Sequence, residues 1–186
     1  MSTQSQQTNN DFRADALKEA TARLAQNNGE EARGPCHDSL DSAEIDPIDN
    51  FDDMSLKDDL LRGIYAFGYE KPSVIQQKAI PDVALKRDII AQAQSGTGKT
   101  ATFSIGMLQN IDENLQETQA IILAHTRELA TQINTVVKGL SQYMNITVNQ
   151  TIGGTSIKDN ISELVKNPQV VIGTPGRVLD MITKKA

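Results

Sequence analysis

The eight residues Ala93–Thr100, AQSGTGKT, combine glycines that let backbone N–H groups turn inward, a lysine that can meet a polyphosphate, and a hydroxyl that can ligate a hard cation. The spacing is that of a phosphate loop with Ala93 in place of the first glycine. A strand before it and a helix after it are the confirming context for such a loop. The run before it, DIIAQA from Asp88, reads as an apolar strand, and the residues after it read as a helix whose N-terminus adds to the anion site. Lys99 is assigned to the β and γ phosphates and Thr100 to Mg²⁺. Ala93, Gln94, Ser95, Gly96, Thr97 and Gly98 line the loop.

Upstream, GYEKPSVIQ spans Gly68 to Gln76. Ser73 and Gln76 have the Ser-x-x-Gln spacing of a capping box just after Pro72, which makes a helix start there the default reading of Gln76. A Gln amide can also pair bidentately with an adenine edge. Spacing alone favours the cap.

These groups must be held by alternating strands and helices. DMSLKDDLLRGIYAFG carries Leu56, Leu60, Ile64 and Phe67 on one helical face, with Ser55 and Asp58 as a capping-box pair and Gly68 as the stop. A second helix follows from Ser73. Four short apolar runs come next, DIIAQA, QAIILA, ITVNQTI and QVVIG, separated by the helical stretches RELATQINTVVKGLSQYM and SIKDNISELVKN. The expected class is α/β, a doubly wound parallel sheet sandwiched by helices, with ligands at the carboxyl ends of its strands.

Composition narrows the functional classes. A chain of 186 residues with 38% hydrophobic content holds one ordinary domain and a tail. One cysteine, Cys36, and two histidines exclude an internal disulfide and a four-ligand Cys/His zinc site. The polar start MSTQSQQTNN is no signal peptide, and no apolar run is long enough to span a bilayer, so a soluble, cytoplasmic protein is expected. The net charge of −6 is uneven: residues 1–50 hold ten acids and four bases, and the fourteen acids and fourteen bases that remain cancel. Residues 1–48 are read as a mostly disordered acidic tail containing one helical patch, DFRADALKEATARLAQNNG. Residues 49–186 are read as the folded unit.

The ordered set of motifs resembles that of the DEAD-box RNA helicases. GYEKPSVIQ is similar to their Q motif (51–79 with its upstream aromatic, Phe51, seventeen residues before Gly68), and AQSGTGKT to their motif I. HTRELA from His125 resembles motif Ia, Gly153-Gly154 the double-glycine motif, and TPGR from Thr174 motif Ib. The likeness is strongest to members that act in translation initiation and covers roughly residues 50–184. It implies a RecA-like domain that binds ATP with Mg²⁺, Gln76 reading adenine, Tyr69 against the base and Phe51 in support. It further implies that Thr126, Arg127, Gly153, Gly154, Thr174, Pro175, Gly176 and Arg177 line one strand of RNA through its phosphates, without base code. Translation scaffold proteins are the implied partners, and a small phosphate-loop kinase is contradicted by the Q motif and the RNA loops.

Departures from the pattern also carry expectations. His125 stands where the family has proline, and Lys86 where it usually turns with glycine, a left-handed position that costs a non-glycine residue roughly 1 kcal/mol. No Asp-Glu-Ala-Asp follows TPGR, and Asp112-Glu113 reads as a solvated helix end. Phosphoryl transfer needs a strand-borne Asp, a water-positioning group and an arginine finger. The reading is therefore an ATP- and RNA-holding half of a helicase that does not turn over alone, either truncated or a short form that competes for RNA or partners.

Overall fold

Val170, Val171 and Ile172 are β-branched, apolar and consecutive, the composition of a strand covered on both faces. In the computed structural model, which describes residues 48–185, they form β3 (Val170–Gly173), buried at every position. β3 is the middle strand. It pairs in parallel with β1 (Ala120–Leu123) on one side and β2 (Val148–Thr151) on the other, so that Ala120, Val170 and Val148 stand in register. The acidic tail and its helical patch lie outside the described residues, apart from Ile48.

Helices connect and flank the strands as the alternation of patterns demands. α1 (Asp58–Ala66) buries Leu60 and Ile64, one turn apart on a single face. α2 (Val74–Ala84) begins at the expected capping box of Ser73 and Gln76. α3 (Lys99–Asn110) follows the phosphate loop and packs along α2. α4 (Arg127–Leu140) joins β1 to β2 and packs on β2, β3, α1 and α3. α5 (Ile157–Leu164) joins β2 to β3, and α6 (Pro175–Thr183) follows β3. Their shared core includes Leu60, Ile64, Ile80, Ile105, Leu108, Val137, Leu140 and Ile172, none of them exposed. Each full burial of this kind contributes about 1.5–3 kcal/mol relative to leaving the side chain in water.

Two expectations about local structure are corrected. The Ser55–Asp58 capping box does not form: Ser55 sits at φ 53 and closes a 3₁₀ turn, Phe51–Met54, while α1 starts after Lys57. The Lys57 N–H is instead held by the Gln109 side chain at 2.9 Å, so α3 fixes where α1 begins. The run Asp88–Ala93 belongs to no strand. Its apolar pattern is that of a buried strand, yet pairing needs a neighbour, and the sheet ends among the described residues at β1. The consequence is visible in exposure: Ile90 is fully exposed, and Ile121 and Leu123 on β1 are 54% and 56% exposed.

Lys86 has φ +59, the left-handed conformation anticipated after α2. Its N–H and that of Arg87 close the helix end on the carbonyls of Val83 and Asp82. Replacing it by glycine removes the Cβ penalty and returns part of the gain as unfolded-chain entropy. Lys86→Gly is therefore expected to stabilise the chain by about 0.5–1 kcal/mol, read from the urea midpoint at unchanged m-value.

Candidate functional site

Because the strands are parallel, the segments leaving Leu123, Thr151 and Gly173 emerge at one edge of the sheet. The first leads through Thr126, whose hydroxyl caps α4 by accepting the Leu129 N–H at 3.2 Å. Arg127 is thereby set at the first position of the helix. The second is the turn Ile152–Thr155, in which Gly154 has φ +88. The third reaches α6 through Thr174 and Pro175, with proline in the first helical turn, where a missing N–H costs nothing. The Thr174 N–H is held by the carbonyl of Thr151, which ties the third loop to the second.

Both arginines converge on the second loop. The Arg127 guanidinium lies over the glycine pair so closely that a Cβ on Gly153 would sit 3.3 Å from its Nη2 and one on Gly154 2.6 Å from its Nη1. Arg177 donates from Nη1 and Nη2 to the Thr155 carbonyl, 3.1 Å each. Neither arginine is ion-paired among the described residues. A bare glycine backbone with one guanidinium against it and a second on the next residue suits an anionic chain better than any neutral ligand. Gly176 is open to any approaching group, since a Cβ there would meet nothing within 4 Å.

The phosphate loop lies beside α2 and is tied to it. Ser73 Oγ donates to the Thr97 carbonyl at 2.8 Å, and Gln76 Nε2 stands 3.5 Å from the carbonyl of Gly98. Gln76 is 2% exposed, and its Oε1 accepts the Ser73 N–H at 2.7 Å. The cap favoured by spacing is therefore present, and the same amide reaches the loop. Gly96 and Gly98 take positive φ, as a loop that turns its N–H groups inward requires. Lys99 Nζ donates to the carbonyls of Ala93 and Gln94 at 2.6 Å each. The Thr97 hydroxyl donates to the Gln94 carbonyl, while Thr100 carries a hydroxyl with no partner among the described residues.

The donor set fits a nucleotide polyphosphate: a helix N-terminus, two left-handed glycines and a lysine ammonium. It fits a magnesium ion only in part. No group of three or more His, Cys, Asp or Glu side chains gathers among the described residues, which leaves the Thr100 hydroxyl as the protein ligand in reach of the loop.

The aromatic residues divide. Tyr69 is half-buried and stacked on Phe67, ring centroids 5.4 Å apart, and burial pushes its phenol above the ordinary range, so it offers a neutral face at any physiological pH. Phe51 is 0% exposed and packs edge-on against Tyr65 at 6.4 Å, which places it in the core against the first helix. Asp112 and Glu113 trail α3 as expected, with Asp112 exposed; Glu113 Oε2 also accepts the Asn145 N–H at 2.8 Å and Asp112 Oδ1 that of Asn114 at 2.9 Å. Sequence reasoning missed Phe67, Ser73 as a loop contact, and Asn160, for which periodicity offers no signal.

Known proteins were compared with this arrangement. A family profile described as DEAD/DEAH box helicase matches residues 73–186. The ATP-dependent RNA helicase eIF4A of Pyricularia oryzae is 57% identical over 146 residues, 78% of this chain and 37% of that protein. The eukaryotic initiation factor 4A of Drosophila melanogaster is 56% identical over 146 residues, 78% of this chain and 36% of the relative. Among solved structures, a DEAD box protein from the hyperthermophile Methanococcus jannaschii superposes with TM-score 0.69 at 40% identity, covering 74% of this chain and 38% of its own. S. cerevisiae Dbp5 bound to RNA and ADP BeF3 gives TM-score 0.68 at 42% identity, covering 74% of this chain and 34% of its own. The chain thus spans a little over a third of the length of the curated relatives it matches.

The glycine turn supplies a direct test of this geometry. Gly154→Ala places a side chain at φ +88 and pushes the Arg127 guanidinium aside, which is expected to cost about 1–2 kcal/mol in urea unfolding. An unchanged midpoint would mean that the turn relaxes to negative φ.

Proposed function

This chain belongs to the DEAD/DEAH box helicase family, and we propose that it is the ATP- and RNA-holding part of an ATP-dependent RNA helicase acting in translation initiation. The observation that carries the proposal is the convergence of Arg127 and Arg177 on one bare glycine turn, on the same chain as a lysine-bearing phosphate loop. The first suits the backbone of a single RNA strand, the second a nucleoside triphosphate. High identity to eIF4A proteins supports the translation role, action in the cytoplasm and scaffold proteins of initiation as partners.

ATP would be held by residues 93–100. Lys99 would leave the carbonyls of Ala93 and Gln94 for the β and γ phosphates, the α3 N-terminus would face the phosphate charge, and Thr100 would ligate magnesium brought by the nucleotide. Bound magnesium neutralises developing phosphate charge. Tyr69 would stack on the base. Gln76 keeps one carbonyl lone pair and amide hydrogens beyond its cap, and these would pair with adenine once the loop at Gly98 moves off its amide. The 186 residues alone are proposed to bind nucleotide without turning it over: their Asp-Glu pair holds loop backbone instead of standing at a strand end.

Calorimetric titration with ATP and GTP is expected to show tighter binding of ATP and at least a tenfold loss in Lys99→Ala, the scale of one charge-assisted contact. Equal affinity for both nucleotides would remove Gln76 and Tyr69 from base recognition. Phosphate release that RNA stimulates and Lys99→Ala abolishes would sink the claim of no turnover.

RNA binding is expected to be weak, indifferent to base sequence and salt-dependent. Two neutralised phosphates on a single strand give a slope of log K against log salt near −1.4, and Arg127→Ala should reduce its magnitude by about 0.7. Binding of labelled homopolymers across a salt series measures this. A slope that survives the substitution would exclude Arg127 from the RNA edge.

A further inference from the structure

Asn160, in the first turn of α5, is 7% exposed and is one of few buried polar side chains in the domain. Its Oδ1 accepts from Arg177 Nη1 at 2.7 Å, the shortest contact that arginine makes. Arg177 Nη1 also reaches Thr155 Oγ1 at 3.4 Å, and the Thr155 hydroxyl donates to the Ile152 carbonyl at 2.9 Å. The glycine turn, α5 and the start of α6 are thus joined through one guanidinium.

The distribution of its five N–H groups matters. Two on Nη1 are spent on Asn160 and Thr155, and one on Nη2 is spent on the Thr155 carbonyl. The two that remain, on Nε and the outer side of Nη2, lie along one edge of the planar group with no partner among the described residues. That edge is the fork that matches two oxygens of a phosphate. Every acceptor anchoring Arg177 is neutral, so the positive charge is fixed in place without being cancelled.

We infer that Asn160 is a positioning residue for RNA binding: it fixes the Arg177 guanidinium so that its Nε–Nη2 edge meets a phosphate, and its neutrality preserves the charge that the phosphate needs. The inference rests on the proposed RNA-binding role of Arg177. A carboxylate of the same shape would hold the arginine at least as well and would compete with the phosphate. An apolar residue of similar size would leave the charge intact and lose the aim.

The test uses the full 186-residue chain, a labelled uridine homopolymer, and wild type, Asn160→Asp, Asn160→Leu, Arg177→Ala and the two double variants. Asn160→Asp is expected to keep the unfolding midpoint, to lose about tenfold in RNA affinity, and to reduce the salt slope by about 0.7. Asn160→Leu should lose affinity at an unchanged slope. Neither should weaken binding further in the Arg177→Ala background. If Arg177→Ala weakens binding while Asn160→Asp binds as wild type, or if Asn160→Asp costs as much without Arg177, the inference is overturned and the RNA edge stands. If Arg177→Ala binds as wild type, the RNA role of Arg177 fails first and Asn160 with it. Should Asn160→Asp prove unfolded by circular dichroism, Asn160→Leu and its double variant decide: an effect persisting without Arg177 overturns the inference.

Discussion

The parallel pairing of β3 with both neighbours is the constraint on which the proposed RNA edge depends. Its four residues are buried and each stands in register with one residue of β1 and one of β2, so a one-residue slip of either neighbour would exchange the side chains of its two faces. Fixed register delivers Arg127, the glycine turn and Arg177 to one edge at matching heights. The two arginines are carried by helix starts, one capped at Thr126 and the other opened by Pro175. Function here is a by-product of sheet geometry plus three short loops.

The nucleotide loop is positioned differently. No strand pairing among the described residues holds Asp88–Ala93, so the loop borrows its support from α2, through Ser73 on Thr97 and Gln76 near Gly98. The residues that cap the helix are the ones that touch the loop. Any displacement of the loop would therefore bear on the capping box that starts α2.

Much of this was legible in the sequence because it rests on local rules. The Ser73 cap, the stop at Gly68 and the three paired strands follow from spacing and residue type, and the positive φ at Lys86 from the glycine that the family resemblance puts there. What was not legible depends on distant partners. The Asp88–Ala93 run has the composition of a strand and lacks a neighbour to pair with. Ser55 has the spacing of a cap, yet Gln109 on another helix decides where α1 begins. Phe51 matches a motif aromatic in position but is drawn wholly into the core, and Asn160 looks like any polar helix residue until Arg177 folds onto it.

Net charge would have concealed the site altogether, since residues 51–186 sum to zero. The placement of the charges resolves this. Several surface cations are matched by a carboxylate on their own element or close by, as in Arg62 with Asp59, Arg87 with Asp82, Lys166 with Glu163 and Lys184 with Asp180. Pairs of this kind add little stability, roughly 0–1 kcal/mol, but they cancel the local field. At physiological salt a charge is felt over about 8 Å, so a phosphate at the sheet edge responds to Arg127 and Arg177 and not to the balance of the whole domain. With Arg127 lying close over the glycine pair and Arg177 held by a threonine carbonyl and an asparagine amide, the domain is neutral in sum and cationic where an RNA strand would lie.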